Sequence, residues 1–367
     1  MTVAPESSAF TTRPDASGRR WRRLFLVAGA ALFAYALLAP LTSTDAAQAA
    51  GMPLLADRLW FRIATIIAMF AVMASAWNII GGLTGYAAFG NVAFFGIGAY
   101  TAGMLIARAK WPFFAALPVA PVASAAFATL IGVPLLRLRG HYFAVASLGT
   151  GVAVGEVVQN VDFRGQPLFG GSTGLFLPIV GRDITYFYLM VGAAVLAVAV
   201  TWWVLRSRFG YGLIAIRENE EAAAVLGVPT TAYKVAAFAV AAALTGLAGG
   251  IFAQWNVFIN QENVFPIEYN IQMILMALIG GAGTLFGPVL GAVLLQLLIQ
   301  FLSGSLPISA DIPFVPSDAR PVLAQVILGL LLVVVVVFVP RGVIDFFGGQ
   351  SRLSLAYLRR SLKETSV

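Results

Sequence analysis

The chain has 367 residues, 60% of them hydrophobic and 11% charged, with a formal net charge of +7. A water-soluble domain carries about a quarter of its residues as charges, so a soluble globular protein is excluded, and the mean hydropathy of +0.88 agrees. There is no cysteine and a single histidine, His141, which removes disulfide frameworks, thiol nucleophiles and multi-histidine metal sites.

In chain order, a polar tail over 1–23 ends in the basic run Arg19, Arg20, Arg22 and Arg23. An apolar run over 24–41 and then Ala47-Gln48-Ala49 imitate a secretory signal with its cleavage site. The run is longer than the usual signal core of about 7–15 residues and is read as a first transmembrane helix. Further apolar segments cover 59–82, 86–106, 113–133, 142–160, 184–205, 235–255, 268–282, 286–303 and 321–339. Crossing a bilayer takes ~20 helical residues, so 268–282 is marginal. The expectation is an all-α integral membrane protein with about ten transmembrane or partly embedded helices, its membrane domain spanning 24–340.

Charge sets the orientation. With every span crossing and the N-terminus in the cytoplasm, 16 of the 23 basic residues fall on the cytoplasmic side, as the positive-inside rule requires. They include Arg137, Arg139, Arg206, Arg208, Arg217 and Lys234, whereas Arg108 and Lys110 fall outside. Both termini, 1–23 and 341–367, are expected in the cytoplasm, and the chain in the inner (plasma) membrane. The positive charge is thus a topology signal and gives no support to nucleic-acid binding.

The charged stretch Ser207–Gly227 interrupts this pattern, within a cytoplasmic loop over 206–234. Glu218, Glu220 and Glu221 sit near a helix start, where carboxylates complement the positive end of the dipole. Ala222, Ala223 and Ala224 favour helix, and Gly227-Val228-Pro229 stops it. This is a short helix lying across the cytoplasmic face. It is either a solvated connector or a coupling helix that fits a cleft on a soluble ATPase. The chain has no GxxxxGK[ST] phosphate loop, since none of Lys110, Lys234 and Lys363 follows glycine. Phe347-Gly348-Gly349-Gln350-Ser351 resembles an ATPase signature only loosely, so the chain itself binds no ATP.

Ala215–Gly227, Gly90–Tyr100 and Ile279–Thr284, taken together, resemble LivM-type permeases of branched-chain amino acid ABC importers. Glu221-Ala222-Ala223-Ala224-Val225-Leu226-Gly227 is similar to the EAA-x-x-x-G pattern of importer permeases, and Ala215-Ile216-Arg217-Glu218-Asn219-Glu220 brings it closer to this branch. Gly85-Tyr86 with Gly90–Tyr100, Leu138–Ala144, Gly170–Leu175 and Ile279–Thr284 with Gly287-Pro288 follow in the family's order. Many relatives carry His where Asn91 stands, and Phe169 replaces a usual Thr. The resemblance implies a transport subunit that is not an enzyme, pairing with a second related permease. It further implies two ABC ATPases that use ATP and Mg, and an extracytoplasmic binding protein. ATPase coupling would fall to Arg217, Glu218, Glu220, Glu221, Ala222, Ala223 and Gly227. The substrate that the resemblance implies is a branched-chain or related amino acid, with urea and short amides as the alternative, and a secondary transporter as the runner-up class.

Asn91, Phe94, Glu156 and Gln159 are the candidates to line the substrate pathway. Glu156 stands out, because a carboxylate in a span is costly unless paired or wetted. It also lies six residues before Asp162, close enough to the outer interface to snorkel. Gly81, Gly82 and Gly85 in one half and Gly280, Gly281 and Gly283 in the other form similar breaks, each followed by Phe-Gly. Paired interruptions of two halves point to internal pseudo-symmetry around a path, and close helix packing is the simpler alternative.

Overall fold

The computed structural model describes residues 58–163, 166–167, 169–302, 326–327 and 329–330. The expected spans at 24–41 and 321–339 and both tails lie wholly or mostly outside them. The described residues form an antiparallel bundle of apolar helices. They are α1 Arg58–Trp77, α2 Val92–Ala107, a short α3 Phe113–Ala116 leading into α4 Val119–Leu135, α5 His141–Asn160 and α6 Asp183–Arg206. The polar loop supplies α7 Arg208–Glu218 and α8 Glu220–Val225, and the last part α9 Thr230–Asn256, α10 Gln261–Val264, α11 Ile267–Gly280 and α12 Gly287–Leu302. Five stretches among them are long and apolar enough to cross a membrane: Leu59–Gly82, Phe113–Leu135, His141–Asn160, Asp183–Arg206 and Thr230–Asn256. The chain is an all-α membrane protein.

The core forms around α9, which packs against α4, α2, α1 and α6. Its sequence explains this position. Ala237, Ala241, Ala242, Gly246, Ala248, Gly249 and Gly250 are all buried, and such small side chains let neighbouring backbones close in where lipid gives no hydrophobic drive. A methyl added at Gly249 would stand 3.1 Å from the Ala99 nitrogen, and one at Gly250 2.9 Å from the Ala120 Cβ. Larger residues fill the spaces that remain: Phe94 packs edge-on against Phe238, ring centroids 4.9 Å apart.

The loops gather at two ends. One end, here called the basic end, collects 83–91, 136–140, 207–229 and 281–286, with Arg137, Arg139, Arg206, Arg208 and Arg217. At the far end a two-stranded ladder pairs β3 Leu175–Phe176 with β4 Phe258–Ile259, after a hairpin of β1 Asp162–Phe163 and β2 Gln166–Pro167. The Gly170–Leu175 motif forms the 3-10 turn Gly171–Thr173 that leads into β3. Gly174, at φ +69, lies so close to Phe258 that a methyl would stand 2.6 Å from its ring. This motif therefore fastens the far-end loops together.

Three elements differ from the sequence expectation. The segment expected as a span over 86–106 is helical only from Val92, and Gly85–Gly90 is unwound. The cause is packing: Gly90 lies against α5 so closely that Gly151, opposite, would place a methyl 3.2 Å from the Gly90 Cα. The loop helix is two helices, because Asn219 takes an extended conformation between α7 and α8. Lys234, counted in the loop, lies in the first turns of α9 and is buried.

Candidate functional site at the basic end

Asn219 organises the joint between α7 and α8. Its side chain accepts from the backbone N–H groups of Glu221 and Ala222, both at 3.0 Å, satisfying donors that a helix start leaves free. Glu220 and Glu221 occupy the first turn of α8 as expected, whereas Glu218 is the last residue of α7. At the other end Gly227 adopts φ +88, a left-handed conformation suited to glycine. There the Gly227 and Val228 N–H groups close back onto the Ala224 and Ala223 carbonyls. Val225 and Leu226 project at the tip, 88% and 84% exposed.

The root of α8 is an ion pair inside the bundle. Lys234, its side chain 3% exposed, donates to Glu220 Oε1 at 2.7 Å, to Tyr86 Oη at 3.0 Å and to the Leu136 carbonyl at 3.0 Å. Tyr86 donates its hydroxyl to the other oxygen of Glu220, and its ring lies 4.5 Å from Lys234 Nζ. Burial alone would raise the Glu220 pKa, but the hydrogen bonds from Lys234 and Tyr86 and the charges of Lys234 and Arg139 outweigh it. The carboxylate is held below its ordinary range. Arg139 pairs with Glu221 at 2.8 Å on the exposed side. A cleft of about 510 Å³ opens here, lined among others by Tyr86, Phe89, Arg139, His141, Glu220 and Glu221.

The unwound Gly85–Gly90 segment forms one wall of this cleft. Its backbone is served by side chains: Trp77 Nε1 donates to the Ala88 carbonyl at 2.8 Å, and Ser147 Oγ accepts from the Phe89 N–H at 3.0 Å. Just beyond it, Asn270 Oδ1 accepts from the Val92 N–H at 2.9 Å. Non-helical backbone within a membrane protein needs such cover, or a cavity to line. A second, mostly apolar cavity of about 320 Å³ lies behind the segment, lined by Trp77, Gly81, Ala87, Phe89, Ile271, Ile274 and Leu278. Ala87 and Phe89 face both spaces.

The two glycine breaks meet in space. A methyl on Gly82 would stand 2.6 Å from the Gly283 nitrogen. Asn78 joins them, and Arg217 reaches the Gly82 carbonyl at 3.0 Å. Gly82 and Gly283 are thus in direct contact, whereas Gly81 lies against Trp77, Gly85 against Arg217 and Gly280 against Gly287.

The pathway candidates are not brought together. Asn91 is fully buried, and among the described residues neither amide atom has a partner. Phe94 is packed between Phe127 and Phe238. Glu156 is exposed and accepts from Gln261 Nε2 at 3.1 Å and Asn160 Nδ2 at 3.3 Å, with Gln159 half-buried near it. At ~1.5 Å per residue, Glu156 stands ~7.5 Å along α5 beyond the contact of Gly151 with Gly90.

Sequence reasoning missed Tyr86, Asn78 and Lys234. A lone asparagine at the end of an apolar run and a lysine inside an alanine-rich one were the available signals. Among the described residues no cluster of three or more His, Asp or Glu side chains is placed to hold a metal.

Residues 59–336 match the family model described as "Branched-chain amino acid transport system / permease component". The chain belongs to that family. This permease is similar to the high-affinity branched-chain amino acid transport system permease protein LivM of Salmonella typhimurium, 31% identical over 274 residues. LivM of Escherichia coli is 30% identical over the same length. In both cases 67% of this chain matches 64% of the relative, so the chain spans less than two-thirds of the length of these curated relatives. It is also similar to the autoinducer 2 import system permease protein LsrC of Salmonella paratyphi B, 30% identical over 164 residues, 44% of each chain.

Proposed function

We propose that this chain is the membrane-spanning permease subunit of an ATP-driven importer for branched-chain or related amino acids. The single observation that carries the reading is α8: an apolar tip, Val225 and Leu226, stands exposed in a polar loop while its base is bolted into the core through Glu220 and Lys234. Scattered exposed apolar side chains are ordinary, but a rooted helix presenting two at its tip is suited to a soluble partner's cleft. The charge rule supports a cytoplasmic basic end, and an α8 on that side would be within an ATPase's reach.

In this reading two cytoplasmic ATPases bind and hydrolyse ATP with Mg, a second related permease completes the path, and an extracytoplasmic binding protein delivers substrate. The chain itself catalyses nothing. It resides in the inner membrane with both termini inside. The departures at Asn91 and Phe169 keep urea and short amides as the alternative substrates. Competition of labelled leucine uptake by isoleucine, valine, urea and acetamide separates the two.

The test is purification from native membranes in mild detergent with mass spectrometry of every chain that follows. ATPases with phosphate loops and a second permease are expected, and Leu226→Glu is expected to release the ATPases while the chain stays in the membrane. A chain that arrives alone and transports without ATP would overturn the proposal. Glu156 and Asn91 are proposed to line the path. Glu156→Gln is therefore expected to change the uptake rate severalfold without loosening ATPase attachment, and an unchanged rate would remove Glu156 from the path.

A further inference from the structure

Both glycine breaks leave backbone groups that no helix uses, and two side chains take them up. After Trp77 the α1 ladder widens into a π-turn over Asn78–Gly82. Asn78, buried on that turn, serves the other break: its Oδ1 accepts from the Gly283 N–H at 2.6 Å and its Nδ2 donates to the Thr284 carbonyl at 2.9 Å. One donor and one acceptor opposite fix the way the carboxamide faces. Arg217, in the last turn of α7, serves the first break by donating from Nη1 to the Gly82 carbonyl at 3.0 Å. The same Nη1 would stand 2.9 Å from a methyl on Gly283, so the guanidinium touches both sides of the crossing.

Arg217, expected among the ATPase-coupling residues, is exposed and also reaches the Gly82 carbonyl with its guanidinium. It stands three residues before Glu220, across the extended Asn219 joint. The two anchors of this joint differ in kind. Glu220 is gripped by the buried Lys234 and by Tyr86, whereas Arg217, an exposed residue, holds the Gly82 carbonyl through a hydrogen bond from Nη1. Of the two anchors, the Arg217 bond is the one with fewer partners to hold it.

We infer that Arg217 is a positioning residue that passes movement of α8 to the crossing of the two glycine-interrupted segments, with Asn78 as the clamp of that crossing. The inference rests on the docking of α8 to an ATPase proposed above. Release of Arg217 leaves the Gly82 carbonyl to find another partner, and in this inference a second arrangement of the two segments supplies it. That is the bistable element a switch requires.

The test is hydrogen exchange on the full purified complex, with and without a non-hydrolysable ATP analogue and Mg. In the wild type, nucleotide is expected to change exchange in 217–226 and also in 78–90 and 281–287. In Arg217→Gln the response of 217–226 should persist, while the responses of the other two segments fall about tenfold, within the usual range of coupling between sites. Arg217→Lys keeps the charge and one donor direction, and should retain part of the response.

Wild-type responses of 78–90 and 281–287 in Arg217→Gln would overturn the inference, as would loss of the ATPases from that variant, which would make Arg217 a docking contact. If Arg217→Gln is not recovered in the membrane, Arg217→Lys decides: a full wild-type response there also overturns it. A wild-type complex that holds no ATPase is a different result and removes the docking proposal itself.

Discussion

Lys234→Met is expected to destabilise the permease by about 3–5 kcal/mol, the usual effect of removing one partner from a buried ion pair. Methionine keeps the length and flexibility of the stem but takes a donor from three groups, the Glu220 carboxylate, the Tyr86 hydroxyl and the Leu136 carbonyl, leaving the carboxylate with the Tyr86 hydroxyl but without its buried counter-charge. The loss should appear as a lower thermal midpoint of the purified complex and as α8 coming away from α9. Glu220→Gln combined with Lys234→Met should recover a substantial part, because the stranded charge goes with its partner. An unchanged midpoint in Lys234→Met would show that the pair contributes nothing.

The same pair fixes a pH dependence. The Glu220 pKa is lower in the folded chain than in an unfolded one, where it is about 4.3, so the folded state gains by keeping the carboxylate charged. The gain is fully present above the unfolded value and is lost as pH falls through the depressed folded value. From neutral pH down to the ordinary glutamate range, α8 should therefore stay rooted. Its release in acid should require a pH below that range, and Glu220→Gln should abolish the acid step.

Much of the bundle was legible because its determinants are local. Runs of apolar residues bounded by charge gave seven of the helices to within a few residues at most ends, as with Asp183–Arg206 against the expected 184–205. Gly227 could be read as a stop because a positive φ there follows from a helix ending. The unwound Gly85–Gly90 stretch could not be read so directly. Its cause is the approach of Gly90 to α5, about sixty residues later, and hydropathy along one segment is blind to it.

The ion pair was hidden for a related reason. A lysine four residues into an apolar helix looks the same whether it snorkels to water or meets a glutamate, and the difference lies in Glu220, fourteen residues earlier on another helix. Asn78 is a similar case. Its partners Gly283 and Thr284 are more than two hundred residues away, so only the pairing of two glycine breaks in the two halves hinted that the segments are related.

Those breaks support the second strong prediction: Gly82→Ala should damage transport more than Gly85→Ala, although Gly85 has the rarer backbone. Gly85 adopts φ +75, yet a methyl there meets nothing nearer than the Arg217 Cγ at 3.4 Å. Its penalty is the left-handed conformation alone, about 1–2 kcal/mol. At Gly82 the methyl would stand 2.6 Å from the Gly283 nitrogen, a backbone atom that cannot rotate aside, and would also crowd the Asn78 carboxamide. Overpacking of this kind costs about 1–3 kcal/mol. The segments relieve it only by moving apart, and that opens both Asn78 bonds at a further cost of about 1–3 kcal/mol for each buried group left unpaired. Gly82→Ala should consequently fall below Gly85→Ala in both uptake and thermal midpoint, with Asn78→Ala resembling the former. If Gly82→Ala instead matched the wild type, the crossing would be loose enough to admit a methyl, and close contact between the breaks would have no part in transport.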